Sequence, residues 1–478
     1  MAFLFRFRFN LIWIYNRKMR KLILISAFLP AAIFPLATFI IGLRNPSIFD
    51  APSLLKNSPI PAILFFLAFS TVLIFSHRSA LLRENSHGLI LFFLFTLGYF
   101  LIASTLNKPD INTNNVYFAA DSGSWYQRMA GEDGWNTGTH AVHPLTHLFF
   151  RPLVALLSNL TGGNHFYANL ILLSAAGGGC VFLMWKIAQW ISENQVYAIL
   201  CASLLGLSAS HLIFASIIET YIFSTFCLLY FIWLAIKNKG TYLLVAVSVA
   251  TLGITITNIA QNLLIFLFVQ RNPKRLITIF TLTLLFGICL NIISRFVYPV
   301  TEYFFIPQNL MGEQRFSQEI NIKRIGLVAE NLFIYNIAAP QPFFSIRNEM
   351  PRFNFLIGTI QNYIWFGWPA VIFWVSILAL AFIYFLSCNY PVKDISLLIS
   401  MLACLLFNFL LHAGYGIEPF LYSPDWTYAL ILIGTVILQN AAKHTWFIVI
   451  WLLLVMSILL NNMWFLYLIA RQASEFLA

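Results

Sequence analysis

Asp121 stands in the run Asn115-Val116-Tyr117-Phe118-Ala119-Ala120-Asp121-Ser122-Gly123-Ser124-Trp125-Tyr126, among small and aromatic residues. A carboxylate so placed can act as general base on an acceptor hydroxyl or amine. It can equally make an Asx-turn with Ser122 or Gly123. Tyr126 follows as a candidate substrate-binding side chain. Next comes His140-Ala141-Val142-His143-Pro144-Leu145-Thr146-His147, then Arg151-Pro152. Histidines at this spacing have the ligand type for zinc. However, Pro144 interrupts any single helix face, and no nearby Cys completes a set. The other readings are an interfacial helix with polar caps, or His140 and His143 as hydrogen-bonding groups for a substrate.

Ser208-Ala209-Ser210-His211 precedes Glu219-Thr220-Tyr221. Glu219 lies early in an apolar run, where an ionisable residue is costly and defaults to a functional reading. A structural pairing with His211 or with another helix is the alternative. Asn258, Gln261 and Asn262 fall at the turn of a short apolar hairpin and read as interhelical hydrogen bonding. The stretch His412-Ala413-Gly414-Tyr415-Gly416-Ile417-Glu418-Pro419-Phe420-Leu421-Tyr422-Ser423-Pro424-Asp425-Trp426 is dense in aromatics and acids. An interfacial belt explains Tyr422 and Trp426, but not Glu418 and Asp425 so close together. A further loop carries Arg315, Lys323, Arg324, Arg347 and Arg352. Guanidinium forks match phosphate oxygens well, and a solvated loop face is the other reading.

The elements that position these residues follow from composition. Of 478 residues, 60% are hydrophobic and 9% charged, against about 25% charged in a soluble chain. Mean hydropathy is +0.80. Apolar runs long enough to span a bilayer recur at 22–43, 59–76, 88–106, 167–187, 195–212, 214–236, 241–257, 258–271, 276–296, 362–387, 394–413, 425–440 and 445–470, which predicts an all-α polytopic membrane protein of about thirteen transmembrane helices. The pair over 241–271 is short for two full crossings and reads as a tight or partly re-entrant hairpin. The first run is too long for a signal-peptide core and is kept as a span. The parts are two N-terminal helices (1–87), a core with a first outer loop (88–296, loop 107–166), a second outer loop (297–361) and C-terminal helices (362–478). Both long loops contain amphipathic stretches that predict helices lying in the interface. No repeat or low-complexity segment is visible.

The net charge of +11 does not point to nucleic acid. Lys and Arg fall in short clusters between apolar runs, the positive-inside pattern. Arg6, Arg8, Arg17, Lys18, Arg20 and Lys21 place the N-terminus in the cytoplasm, and the clusters at Arg78, Lys237, Arg271, Lys393 and Lys443 follow that order. Both long loops, and with them every candidate above, then lie outside the cytoplasm. Cys180, Cys201, Cys227, Cys289, Cys388 and Cys404 lie in or at the ends of apolar segments without CxxC spacing, so neither a disulfide framework nor a metal site is expected. No GxxxxGK[ST] loop is present.

With these residues the chain resembles the membrane glycosyltransferases of the C superfamily (GT-C), which include protein O-mannosyltransferases and aminoarabinose transferases. The resemblance covers about residues 88–440. It rests on Asp121 and Tyr126 in the first outer loop, on His143-Pro144-Leu145 before the helix with Gly177, Gly178 and Gly179, on Ser208 before Glu219 and Tyr221, and on Phe420-Leu421-Tyr422-Ser423 before Trp426. It implies a GT-C-like bundle. It implies inverting transfer of a sugar from a polyprenyl-phosphate-linked donor to a lipid, glycan or protein acceptor on the extracytoplasmic face, as in a bacterial inner membrane. Asp121 would be the base. Tyr126, His140, His143, His211, Glu219, Tyr221, Glu418 and Tyr422 would bind substrate, with Arg315 and Arg347 on the donor phosphate. No cofactor is implied, and a divalent metal stays open. Where many relatives carry paired acids, Ser122 follows Asp121, and neither an Asp-x-Asp pair nor a WWDYG-like stretch occurs. The two N-terminal spans are an addition to the usual helix order.

Two other classes act on similar molecules. O-antigen polymerases and ligases concentrate Arg and His in one large outer loop, whereas here acids and bases spread over several. Transporters or flippases place ionisable groups at mid-membrane in repeated halves, whereas here the span centres are nearly free of charge.

Overall fold

The computed structural model describes the chain except residues 1, 77, 133–135, 348, 356–362, 388–389 and 478, with side chains described from residue 22 onward. Cys388 therefore lies outside the described residues, as do the side chains of the N-terminal basic cluster. The chain is nearly all helical. Helix α1 (Ala2–Arg44) is followed by α2 (Ala51–Asn57), α3 (Ile60–Phe75) and α4 (Ala80–Leu106). The first long loop contains α5 (Ser122–Ala130) and α6 (Thr146–Ser158), then come α7 (His165–Ser192), α8 (Gln195–Leu207), α9 (Ala209–Phe214) and α10 (Tyr221–Ile236). Helices α11 (Thr241–Ile254), α12 (Ile259–Gln270) and α13 (Pro273–Val297) lead to the second loop, with α14 (Pro307–Leu310) and α15 (Ile322–Glu330). The chain closes with α16 (Trp368–Ser387), α17 (Val392–Gly414), α18 (Pro424–Leu438) and α19 (Thr445–Leu477).

Each of the thirteen apolar runs falls on a helix, but not every helix is a span. Among the described residues seven helices are long and apolar enough to cross a membrane, or eight if the pair α2 and α3, bent by 94°, is one span. The expected figure of about thirteen is not reached by that measure. Helices α8, α10, α11, α12 and α18 are shorter apolar helices, below the ~20 residues a crossing needs. Polar residues cut the apolar runs. Ser208 ends α8 and caps α9, its hydroxyl accepting the His211 N–H, and Thr255 separates α11 from α12. Glu219, read as part of an apolar helix, lies in the break before α10.

Helix α7 forms the middle of the bundle because its glycines admit three neighbours. A Cβ at Gly178 would lie 2.2 Å from Thr96 Oγ1 on α4, one at Gly177 2.5 Å from Ala215 Cβ, and one at Gly179 2.7 Å from the Phe226 ring on α10. This close approach of backbones is the use of small residues in membrane bundles. Helices α4, α13 and α17 end, and α7, α10 and α18 begin, beside the loops that carry the candidate residues.

The second loop also holds a feature with no counterpart in the sequence reading, an antiparallel hairpin of β1 (Phe343–Arg347) and β2 (Met350–Asn354). The first loop joins its edge. Phe118 N–H donates to Phe353 O and Phe353 N–H to Val116 O, both at 2.8 Å, and the Tyr117 and Phe353 rings stack at 5.9 Å. The two long loops are thereby one structure.

Candidate active site

Asp121 is the N-cap of α5, and its side chain makes no capping bond. The start of the helix is fixed by others: Ser124 N–H donates to Asn114 Oδ1 at 2.8 Å, and the Ser122 hydroxyl lies 2.9 Å from that of Thr113. Asp121 itself stays exposed. Its backbone N–H donates to Glu219 Oε2 at 3.1 Å. Glu219 Oε1 accepts from the Thr220 N–H at 2.9 Å and the Thr220 hydroxyl at 3.3 Å. Glu219 is 2% exposed, so both its oxygens are spent on the protein. Burial, and then the charge of Asp121, push its carboxyl up to about 8. Partial burial also raises Asp121, opposed by Arg128, His140 and Arg315.

Arg128, on α5, lies over the Trp125 ring at 5.0 Å and donates to His140 Nε2 at 2.8 Å. Nε2 must then hold a lone pair, so Nδ1 carries the proton; it faces Glu302 Oε2 at 3.9 Å. That same oxygen accepts the Ala141 N–H at 2.9 Å. His143 Nδ1 is 2.6 Å from the Ile254 carbonyl. A carbonyl only accepts, so Nδ1–H donates and Nε2 is the acceptor. Burial lowers His143 to about 4, leaving it neutral. Its ring meets Trp125 edge-on at 5.2 Å. His147 Nε2 instead lies 3.0 Å from the Thr137 hydroxyl. Among the described residues no group of three or more His, Cys, Asp or Glu could hold a metal.

An aromatic wall stands opposite. Tyr221 meets Tyr422 edge-on at 5.5 Å, and Tyr422 stacks on His412 at 4.2 Å. The Tyr422 hydroxyl, kept protonated chiefly by burial, lies in the fields of Glu313, Glu219 and Asp121. The Tyr415 hydroxyl donates to Glu313 at 2.5 Å. A short antiparallel strap holds this side: Gly416 N–H donates to Phe316 O and Gln318 N–H to Gly414 O, each at 2.9 Å. Arg315, on the strap, is exposed and lies over the Phe316 ring at 4.7 Å.

The structure thus brings together Asp121, His140, His143, Glu219, Tyr221, Arg315 and Tyr422. It places the others elsewhere. His211 is fully buried, with Nδ1 3.3 Å from Ser208 Oγ. Glu418 is 1% exposed; its Oε2 accepts the Phe355 N–H at 3.3 Å, and burial pushes it up to about 7. Both are held in structural contacts. Arg347 is exposed at the end of β1, and no described contact ties it to the acids. Tyr126 lines a cavity beside α5 whose lining does not include Asp121. Arg324 is 7% exposed and donates to the carbonyls of His412, Tyr415, Gly416 and Ile417, so its fork is filled by the protein. Sequence reasoning missed Arg128, Glu302 and Glu313. The usable signal was scarcity, since the chain has only 17 Asp and Glu and any acid beside a long outer loop merited weight.

Fold and site together define a helical chain with membrane-length apolar helices and an acid–cation–aromatic cleft where its loops meet. Compared with known proteins, the chain matches no family model, no curated protein and no solved structure.

Proposed function

We propose that the protein is an inverting glycosyltransferase of the extracytoplasmic membrane face, moving a sugar from a polyprenyl-phosphate donor to a hydroxyl-bearing acceptor. The observation that carries this reading is the exposed Asp121 carboxylate, free of any capping bond and set in the fields of Arg128, His140 and Arg315. The acceptor hydroxyl gives its proton to Asp121 as its oxygen bonds the anomeric carbon. The bond from that carbon to the phosphate oxygen breaks, and the electron pair leaves with the polyprenyl phosphate. Attack opposite the leaving group inverts the configuration. The negative charge lost by Asp121 reappears on the phosphate, where cations already positioned stabilise it without reorganisation. His143, neutral, offers Nε2 as a hydrogen-bond acceptor for a sugar hydroxyl.

The donor tail has a fitting place. An apolar groove of about 470 Å³ lies among α1, α3, α4 and α7, lined by Pro35, Phe39, Phe65, Leu97, Phe100 and Tyr167. Tyr167 neighbours Phe166, which meets the Tyr126 ring at 5.5 Å. The helices added before residue 88 would then serve to build the tail's groove.

The test is mass spectrometry of envelope glycans, glycolipids and glycoproteins from cells with the native gene, Asp121→Asn, or no gene. A sugar present only with the native gene is expected. Full transfer by Asp121→Asn removes the base assignment.

A further inference from the structure

Tyr126 leads to a second site. Loop 109–114 and α5 enclose a cavity of about 510 Å³, lined among others by Asp110, Asn112, Ser124, Tyr126, Gln127 and Arg128. Asp110, Asn112 and Gln127 are exposed. The polar part of the lining is amides, hydroxyls and one phenol, with a single acid and a single cation, beside the apolar Pro109 and Ile111. That cation is already engaged, since Arg128 donates to His140.

This chemistry narrows the occupant. A hydrocarbon chain would strip water from the amides and give them no partner, at about 1–3 kcal/mol for each buried group. An anion would meet Asp110 and an Arg128 already shared with Asp121 and Glu302. A neutral polyhydroxylated molecule matches amides that both donate and accept, and Tyr126 supplies an aromatic surface for its C–H face. Place matters as well. Gly123 and Ser124, in the first turn of the helix that Asp121 caps, line the cavity. Arg128 both lines it and acts on the Asp121 carboxylate.

We infer that the cavity beside α5 binds a neutral saccharide, which serves as the acceptor. The acceptor is then a glycan rather than a protein side chain or lipid A phosphate. The acceptor role rests on the glycosyltransferase reading, whereas saccharide binding stands without it.

The test uses the full chain in nanodiscs on an array of neutral, sialylated and sulfated oligosaccharides, with the neutral ones also supplied as glycolipids in the disc. Neutral saccharides are expected to bind, and Tyr126→Ala and Gln127→Ala to weaken them about tenfold each, the size of one lost hydrogen bond or stacking contact. Binding of the glycolipid form alone assigns the saccharide to a membrane lipid, and equal binding of the soluble form to a free or protein-borne glycan. Binding of no neutral saccharide, or equal binding by both variants with native melting curves, overturns the proposal. If sugar transfer proceeds with an unchanged acceptor KM in Tyr126→Ala and Gln127→Ala, the cavity assignment fails and the transferase stands. If the variants lose saccharide binding but the native chain transfers nothing, the reverse holds.

Discussion

The backbone N–H of Asp121 donates to Oε2 of Glu219 at 3.1 Å, so one acid of the cleft holds the other in place. With Glu219 Oε1 taken by Thr220, Glu219 acts by positioning rather than by touching substrate. Gln at this position keeps one accepting oxygen where two are needed. Glu219→Gln is predicted to lower kcat by about 10–100-fold, the cost of a small misplacement of a reacting group. Donor and acceptor KM should stay within about threefold. A large rise in KM with native kcat would show instead that Glu219 binds substrate.

A base must be ionised to work. Burial raises Asp121, so the acid limb of kcat/KM is expected above the ordinary Asp range. Arg128 opposes that rise. Arg128→Gln should therefore move the acid limb to higher pH, while Asp121→Asn lowers the rate by about 10²–10⁴-fold at every pH. Rate profiles between pH 4 and pH 8, roughly the span from free Asp to neutral histidine and beyond, decide this. An acid limb unmoved by Arg128→Gln would break the electrostatic link.

Stability carries its own pH signature. Glu219 is pushed up to about 8 and Glu418 to about 7, both above the free value of about 4.3. The folded chain then binds more protons than the unfolded chain between these limits, and stability falls as pH rises through that window. Melting temperature in nanodiscs should decline from pH 5 to pH 8, about the interval these groups define. Glu219→Gln and Glu418→Gln should each flatten the slope. A native slope that rises with pH would contradict the buried, protonated carboxyls.

Much of this arrangement was legible in the sequence, for a physical reason. Water and lipid sort residues strongly, so the helices followed from apolar runs and the cleft from the few ionisable residues beside the long loops. Helix length was less legible, because Ser208 and Thr255 are mild enough to hide in an apolar average, yet α8 ends at Ser208, which caps α9, and α11 ends at Thr255. Glu418 and His211 looked like site residues because their types are rare in such a chain. Only packing shows that Phe355 and Ser208 use them. Arg128 was overlooked because a single Arg on a short helix carries no pattern, and its partners lie at His140 and Asp121.

The two kinds of loop arginine should separate by assay. Arg315→Ala is predicted to raise donor KM about tenfold, the loss of one charge-assisted contact, and the effect should shrink at high salt. Arg347→Ala, at the hairpin end, should change donor KM by less than about threefold. Equal effects of both would place the phosphate nearer the hairpin.

Arg324 predicts a stability effect. Its guanidinium satisfies carbonyls of residues 412–417, and Lys cannot reproduce that fork. Arg324→Lys should destabilise by on the order of 3 kcal/mol through the carbonyls left buried without donors. The reading is a lower melting temperature. A native melting temperature would mean that water replaces the guanidinium.

The Arg324 staple also sets an order of events during synthesis. Its carbonyl partners are made 88 to 93 residues after it, and the His412 and Tyr422 part of the aromatic wall is made with them. A chain arrested before α17 would already own Asp121, Glu219 and Tyr221, but not the His412 and Tyr422 rings that complete the wall. On the proposed function, ribosome-bound intermediates are therefore expected to transfer no sugar until α17 and the turn after it have emerged.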